Sequence, residues 1–559
     1  MSFELPYNTN RLNIYEGSGL QSSNTIFFGG TILTIDDSCP EAEAMAVSDG
    51  KIIALGDSHS VFQYHTARTR LVDLQGCTVM PGFIDPHVHL AWSAFTSYRW
   101  INVAPPQVGN RDELKIVVRA AVEKKRDSEW VIACGYDSSS HSTEQKRLNA
   151  AELDAISTRN PIFVLEQSWD VAYVNHRALE VAGITDNRLP SSASNYVRDA
   201  NGNLTGEIRG ATAFAALAKR FPVITFEQKL QDCKETLRSW AQQGCTTIYD
   251  AALGSLWGQE EIRLLLEMAS DPSTPMRFRA ALIPTDDLPY TSGLKAMQGN
   301  DRLCFAGIKF WSDGIGPGVV GAFDQPFMSC IENHKLNYRD DDLVDMMQSW
   351  HDTGWQLLVH ASSPAAIEQT LRVYEHLLAK SPRPAHRHRI EHCTLIDESQ
   401  LLKAKRLGVN ISHLIGHVYW GNILRERLAC NNHSIVPLAS ACDSGICVSL
   451  HSDSPATPVE PLRYLQTAVT RNIRKTDDVL SPAQRISIQQ ALKTVTINAA
   501  YQCFLEHKVG SLKVGKIADL VVLDQNPCEV HPDSIADIKV IETYLEGNPS
   551  SNEETGWTH

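Results

Sequence analysis

The stretch "RLCFAGIKFWSDG" (residues 302–314) has, for most of its length, the composition of one buried β-strand. Phe305, Ile308 and Phe310 are typical of a core strand, yet Lys309 lies among them. A lysine that is buried without a partner costs several kcal/mol or loses its proton. Lys309 therefore either points to solvent from the other face of the strand or belongs to a functional site.

Seven further apolar, β-branched runs resemble residues 305–311, and amphipathic helical stretches follow several of them. These runs are residues 78–85, 245–251, 277–283, 355–361, 388–393, 408–414 and 445–453. Eight strands that alternate with helices predict an α/β fold of the (β/α)8 TIM-barrel class. The first two runs are much further apart than a loop and a helix require. We therefore predict an inserted subdomain after barrel strand one, at about residues 92–235.

The two ends of the chain are predicted to form β-structure of a different kind. "SDGK" (residues 48–51) stands between two alternating runs, which is a hairpin signal. Short β-like segments recur near the carboxyl end of the chain. Together they predict one small β-sandwich domain, formed by residues 23–80 and 506–547. In the sequence these two segments flank a barrel domain of residues 81–505. Residues 1–22 are predicted to be a polar N-terminal extension.

The composition restricts the partners that this protein can have. The chain of 559 residues is 43% hydrophobic and carries a net charge of −14, which argues against nucleic acid and anionic membranes as partners. Its 13 cysteines include no C-x-x-C pair, and no apolar run approaches the roughly 20 residues of a membrane-spanning helix. We expect a cytoplasmic protein that acts on a small molecule. A homo-oligomer such as a dimer is compatible with the sequence.

Candidate functional residues stand at the predicted carboxyl ends of the barrel strands, where catalytic residues of such barrels lie. They are four histidines, one lysine and one aspartate: His87, His89, Lys309, His360, His392 and Asp453. Each has an ordinary alternative, as a surface pair, a core histidine or a turn cap. A single shared site explains the presence of such residues at five strand ends better than five separate coincidences do. Four imidazoles and a carboxylate suit a borderline divalent ion such as zinc.

A metal site also gives Lys309 a role. A neutral lysine amine can react with carbon dioxide, and the resulting carboxylate is an anionic oxygen ligand that can bridge two cations. A buried amine with a lowered pKa is the form that this reaction needs. The residues alone allow one or two ions, and either a carboxylated Lys309 or a plain amine.

These motifs resemble those of the amidohydrolase superfamily, and more closely those of its YtcJ-like branch, which includes N-substituted formamide deformylases. The resemblance extends from about residue 25 to residue 545 and rests on "PGFIDPHVHL", "GIKFWSDG", "GWQLLVHA", "RHRIEHC", "HSDSP" and "VGSLKVGKIADLVVLD". It implies that Asp453 is both a metal ligand and the proton shuttle. It implies as further ligands His87, His89, Lys309, His360 and His392.

The resemblance implies a metal-dependent amidohydrolase that cleaves a carbon–nitrogen bond (amide, N-acyl or N-formyl, but not peptide) by attack of metal-bound hydroxide. Asp453 would pass the proton of the water to the leaving nitrogen. His417 is a candidate for stabilising the oxyanion, and a structural histidine is the alternative. Candidate substrate contacts, which packing between barrel and insert also explains, are Trp92, Trp311, Tyr419, Trp420 and Asp170.

Two departures from the branch pattern fall where a substrate is expected. Ser363 and Pro364 stand where the branch has Gly-Asp, and Trp169 and Asp170 stand where it has Gly-His. A deaminase is the nearest alternative function, but deaminase branches lack the strand-four lysine and have a glutamate that "HASSPA" (360–365) does not contain. A cyclic amide, lactone or carbamate hydrolase would use the same attack. A non-catalytic scaffold is a remote alternative.

Overall fold

The computed structural model describes residues 24–104, 108–141, 147–166, 171–185, 195–209, 217, 219–284, 293–313, 336–421 and 434–551. Eight parallel strands form its centre, and each pairs with the next along the chain. We number them barrel strands one to eight: Phe83–Val88, Cys245–Leu253, Arg277–Leu282, Leu303–Trp311, Gln356–Ala361, Arg389–His392, Asn410–Leu414 and Val448–His451. A parallel bridge between Val88 and Ser454 joins the last strand region to the first. The predicted (β/α)8 barrel is confirmed.

Helices pack around this barrel, and their ends carry the expected signals. The helix Glu398–Leu407 begins with a capping box from Asp397 and ends at Gly408 in the left-handed conformation. One large apolar core joins the strands to all but the last of the barrel helices, whose Ala499 and Ala500 belong to a separate cluster. The barrel helices are Leu90–Arg99, Phe226–Ala241, Gln259–Ser270, Asp340–Asp352, Pro364–Lys380, Glu398–Leu407, Gly416–Tyr419, Leu438–Asp443, Pro461–Thr470, Ile488–Thr494 and Ile497–Gln502.

The run predicted as the first barrel strand, residues 78–85, is in fact two strands. Thr78–Pro81 pairs with strands from both chain ends, and only Phe83–Val88 belongs to the barrel. Gly82 separates them, and a Cβ at this position would lie 2.3 Å from the side chain of Thr246. Because Gly82 has no side chain, the backbone can pass close to Thr246 where it leaves the six-stranded sheet and enters the barrel. His87 consequently lies inside barrel strand one rather than after it.

Segments from both chain ends form two further sheets with a common apolar core. The four-stranded sheet consists of Lys51–Gly56, Ala44–Ser48, Thr25–Phe28 and Arg70–Asp73. The six-stranded sheet consists of Asn548–Pro549, Val540–Leu545, Leu520–Leu523, Thr78–Pro81, Thr31–Leu33 and Glu41–Ala42. The hairpin predicted at residues 48–51 is confirmed, since Ser48 pairs with Lys51 and both turn residues have positive φ. The domain boundaries stay predictions.

A mixed six-stranded sheet lies in the sequence between barrel strands one and two. Its strands are Ile101–Asn102, Val131–Tyr136, Ile162–Glu166, Val171–Val174, Tyr196–Arg198 and Leu204–Arg209, and its helices are Arg111–Glu123, Ser138–His141, Ala150–Asp154 and His176–Ala182. Minor elements elsewhere are the helix Ser58–Val61, the 3-10 turns Phe62–Tyr64, Pro482–Gln484 and Pro532–Asp537, and the short strand Gln298–Gly299. None of the helices in the described ranges combines the length and the apolar character that crossing a bilayer requires.

Candidate metal centre

Barrel strands one, four and eight bring four of the predicted site residues together. The Oδ1 atom of Asp453 lies 3.1 Å from Nε2 of His87 and 3.1 Å from Nε2 of His89. The Nζ atom of Lys309 lies 3.2 Å from the same His87 nitrogen. All four side chains are buried, so the strand-four lysine faces the inside of the barrel and not solvent.

Barrel strands five and six add the two remaining histidines. The ring centroids of His360 and His392 are 4.4 Å apart, and those of His392 and His87 are 5.0 Å apart. One potential ligand atom from each of His87, His392 and Asp453 lies within 4.8 Å of the other two. The structure thus brings all six residues predicted as ligands into one buried cluster.

The backbone takes an unusual form at two of these residues. His392 has a φ of 72° and Asp453 a φ of 55°, in the left-handed region that residues other than glycine seldom adopt. The Cys393 N–H donates to the carbonyl of Glu391 at 3.0 Å, which closes a γ-turn around His392. The turn interrupts the alternation of the strand, so Glu391 and His392 both contact His87. Such strain persists where the surroundings hold it, commonly at functional sites.

Electrostatics give two members of the cluster, His87 and Asp453, the ligand forms that a divalent cation binds. Burial, reinforced by the positive charge of Lys309, lowers the pKa of His87 to about 4, so this imidazole is neutral near pH 7. Burial opposes ionisation of Asp453, but attraction to the protonated forms of His87 and His392, with hydrogen bonds from neighbouring histidines, holds the pKa of that carboxyl well below its usual range. Neutral imidazoles and an ionised carboxylate are the forms that zinc-like cations bind. The donor set therefore fits a divalent cation.

The departure from the branch pattern after His360 has a local structural explanation. Ser363 is the N-cap of the helix Pro364–Lys380, with its side chain accepting from the Ala366 N–H and with Pro364 in the first turn. Asp313, at the end of barrel strand four, accepts the N–H groups of Ser362 and Ser363 and lies 3.1 Å from Nε2 of His360. Ser363 is buried, so it begins this helix instead of presenting its side chain to solvent.

His417 lies beside the cluster, on the short helix Gly416–Tyr419 that follows barrel strand seven. Its ring centroid is 6.5 Å from that of His392, and its Nδ1 atom is 2.8 Å from the Thr394 hydroxyl. The side chain is buried. Its role in stabilising an oxyanion stays a prediction.

The tryptophans predicted to contact substrate occupy different surroundings. Trp311 is buried next to the cluster, with the Lys309 Nζ 5.1 Å from its ring centroid, and packs with Ala252 and Ile283. Trp92 is buried in an apolar cluster with residues of the mixed six-stranded sheet, and its Nε1 donates to the Ser255 hydroxyl at 3.1 Å. Trp311 therefore adjoins the cluster directly.

The other predicted substrate contacts are partly exposed or outside the described residues. Tyr419 and Trp420 have ring centroids 5.5 Å apart. The guanidinium of Arg463 lies 5.4 Å from the Tyr419 ring, and that of Arg474 lies 4.0 Å from the Trp420 ring. Asp170, together with the neighbouring Trp169, lies outside the described residues. These substrate-binding roles stay predictions.

Several residues that border the cluster were not predicted from the sequence, among them Asp313, described above, Glu391 and His451. Glu391 Oε2 lies 2.5 Å from Nδ1 of His87, and Arg389 forms an ion pair with Glu391. His451 stacks on His87 with centroids 4.6 Å apart. The sequence does contain a signal for Arg389 and Glu391. Residues two apart on a strand share a face, so "RIE" places opposite charges on one face of a buried strand.

A second group of buried histidines, His351, His386 and His388, is structural. Nδ1 of His388 accepts the Leu357 N–H at 3.0 Å, so its Nε2 carries the proton and donates to Nδ1 of His351 at 2.8 Å. Burial is the main cause that lowers the pKa of all three histidines. Their ring nitrogens are occupied by hydrogen bonds within the fold.

We expect the His386→Gln variant to lose less thermal stability in acid than the wild type. Burial lowers the pKa of His386 in the folded protein. As the pH falls through about 6.5, this histidine therefore takes up a proton in the unfolded chain before it does so in the folded protein. Protons that bind only the unfolded chain favour unfolding, so stability of the folded protein is lost below that pH. Glutamine removes this titration, which is worth up to about 1.4 kcal/mol per pH unit. Melting temperatures at about pH 7.5 and about pH 5.5 measure the difference. Equal losses in both proteins would contradict the expectation.

Comparison with known proteins agrees with this architecture. Residues 70–550 match the model of the amidohydrolase family Amidohydro_3. "Protein LONG AFTER FAR-RED 3" of Arabidopsis thaliana is 26% identical over 93% of this chain and 90% of its own length, and "N-substituted formamide deformylase" of Arthrobacter pascens is 25% identical over 94% and 98%. The crystal structure of an uncharacterized metal-dependent hydrolase from Pyrococcus horikoshii OT3 has a TM-score of 0.70, with 22% identity over 91% of this chain and 99% of that one. The chain therefore belongs to the amidohydrolase family and is a hydrolase built on a (β/α)8 barrel.

Proposed function

We propose that this enzyme uses a divalent metal to cleave a carbon–nitrogen bond of the amide, N-acyl or N-formyl kind in a small organic substrate. The observation that carries the proposal is the position of Asp453 Oδ1, 3.1 Å from Nε2 of both His87 and His89. A carboxylate oxygen and two imidazole nitrogens meet there in a buried space. The near full-length similarity to a protein named N-substituted formamide deformylase supports the choice of bond.

The cation would be held by the ligand set His87, His89, Lys309, His360, His392 and Asp453. Nitrogen and carboxylate donors favour zinc among the common cations. When bound, the metal supplies a Lewis acid that activates a water and polarises the carbonyl group of the substrate. We propose that Lys309 contributes as a carboxylated lysine, which would allow a second ion.

Asp453 is placed to move the proton that the reaction must transfer. Its carboxyl is ionised in the folded protein and can accept a proton from the attacking water. Delivery of that proton to the substrate nitrogen lets the nitrogen leave as an amine. His417 would act on the oxygen atom of the reacting carbonyl. If the Thr394 hydroxyl donates to Nδ1 of His417, then Nε2 carries a proton and can donate to the oxygen as it becomes negative.

The same geometry argues against deamination as the main reaction. Ser362, Ser363 and Pro364 follow His360, so no carboxylate side chain stands at the positions where a deaminase would have its glutamate. The amine of Lys309 is inside the cluster. Hydrolysis of a lactone, a cyclic amide or a carbamate would use the same residues, and only substrate tests distinguish these from an open-chain amide.

The setting of the enzyme is part of the proposal. A net charge of −14 supports a small-molecule substrate without nucleic-acid or membrane partners. The cysteines that the structure describes are all free, which supports a cytoplasmic location. A homodimer is compatible with both observations.

Removal of the metal is expected to abolish hydrolysis. Dialysis against a chelator should eliminate amine release from N-formyl and N-acetyl amines, and added zinc should restore it, because the cation is needed to activate the water. Metal content and amine release are measured on the same samples. His507→Ala, which changes a histidine with an 89% exposed side chain, is the control and should retain both metal and activity.

A substrate panel tests the bond that is cleaved. N-formyl and N-acetyl derivatives of one amine are compared with a lactone, a cyclic amide and an amino-substituted heterocycle. Amide hydrolysis releases the amine, whereas deamination releases ammonia. Turnover by metal-free protein, or ammonia release without hydrolysis of any amide, would refute the proposed function.

A further inference from the structure

A buried ion pair, Arg389 with Glu391, stands behind the candidate metal centre on barrel strand six. Both side chains are fully buried. Arg389 Nε donates to Oε1 of Glu391 at 2.8 Å and Nη2 donates to Oε2 at 2.7 Å. The same Nη2 donates to the Pro86 carbonyl at 2.8 Å, and the guanidinium lies 5.0 Å from the ring of Tyr249. The pair thereby connects strand six to strand one through the barrel interior.

Glu391 continues this chain of hydrogen bonds to His87. Its Oε2 atom lies 2.5 Å from Nδ1 of the imidazole. A carboxylate that is paired through both oxygens with a guanidinium is ionised and can only accept hydrogen bonds, so Nδ1 of His87 carries the proton. The lone pair of the neutral ring is then on Nε2, the atom that lies 3.1 Å from Asp453 and 3.2 Å from Lys309.

We infer that Arg389 and Glu391 are positioning residues, which fix the tautomer and the ring orientation of His87 so that Nε2 is presented to the cation. The inference rests on the metal site of the proposed function. The inference adds Arg389 and Glu391 to the residues that form the metal site. The guanidinium of Arg389 orients the carboxylate of Glu391, and that carboxylate orients the ligand His87. A carboxylate behind a ligating histidine also raises the basicity of that ligand.

Glu391 could instead be a ligand, since one atom each from His87, Glu391 and His451 also lies within 4.8 Å of the others. Its oxygens argue against this, because Arg389 donates to both of them and His87 donates to Oε2 as well. A cation between Glu391 and Nδ1 of His87 would have to displace the proton and open the shortest of these hydrogen bonds. The geometry favours a positioning role.

The first test measures zinc affinity of the metal-free full chain by competition with a chromogenic chelator. Glu391→Gln is expected to weaken zinc binding by about 10- to 100-fold. An amide can donate to Nδ1 of His87, which moves the proton to Nε2 and removes the lone pair. The matched control is Asp519→Asn, which alters another buried carboxylate that is paired through both oxygens with an arginine, Arg277. Its zinc affinity should equal that of the wild type.

The second test needs no folded variant of Glu391. Nuclear magnetic resonance of isotope-labelled histidine in metal-free wild-type protein should show His87 protonated at Nδ1, with the signal assigned by its loss in His87→Asn. A proton on Nε2, or unchanged zinc affinity in folded Glu391→Gln, would overturn the positioning role alone. Wild-type protein that binds no zinc would overturn the proposed metal site, and this inference with it.

Discussion

Asp453→Asn is expected to lower kcat by about 10²- to 10⁴-fold while the protein keeps most of its metal. The asparagine side chain retains an oxygen that can act as a ligand at the point where Nε2 of His87 and His89 converge. An amide cannot accept the proton of the attacking water, so the step that Asp453 is proposed to carry is lost. Steady-state kinetics and metal analysis of the same preparation separate the two functions of this residue.

Asp519→Asn serves as the control, because Asp519 is also a buried aspartate but pairs with Arg277 away from the histidine cluster. It should leave kcat unchanged. Unaltered turnover in Asp453→Asn would contradict the proton shuttle. A fall in turnover that only follows the fall in metal content would leave Asp453 as a ligand without a role in proton transfer.

The barrel could be predicted from the sequence because its strands are buried on both faces. Parallel strands covered by helices appear as continuous apolar runs, and all eight were found in this way. The first was misplaced because Thr78–Pro81, a strand of the six-stranded sheet from both chain ends, and Phe83–Val88 of the barrel follow one another without a polar break. Only Gly82 separates them, and its significance depends on Thr246, a residue far away in the sequence.

The cluster at the strand ends was also predictable, since all eight carboxyl ends of a barrel meet at one rim. The environment of His87 was not. A period-two alternation would place Glu391 and His392 on opposite faces of strand six, and only the positive φ of His392 brings both to the same ring. Histidine has no strong preference for that conformation, so tertiary contacts determine it.

Lys309→Ala is expected to remove most of the bound metal, a larger effect than the roughly 10- to 100-fold change typical of residues behind a ligand. The amine of Lys309 is buried and lies 3.2 Å from Nε2 of His87, so no solvent-facing role remains to explain it. Zinc content after gel filtration measures the loss. Metal binding that is indifferent to this change would show that the lysine is not a ligand.

Chemical rescue then tests the form in which Lys309 acts. Alanine leaves a space into which acetate or propionate can bring an anionic oxygen, so added short carboxylic acids should restore part of the metal and part of the activity. Lys309→Leu is the matched control, because its hydrocarbon side chain fills much of the same space without a donor atom for the cation and leaves little room for the acid. Rescue of the alanine variant alone supports a carboxylated lysine. Metal loss without rescue in either variant would instead favour the plain amine as the ligand beside a single ion.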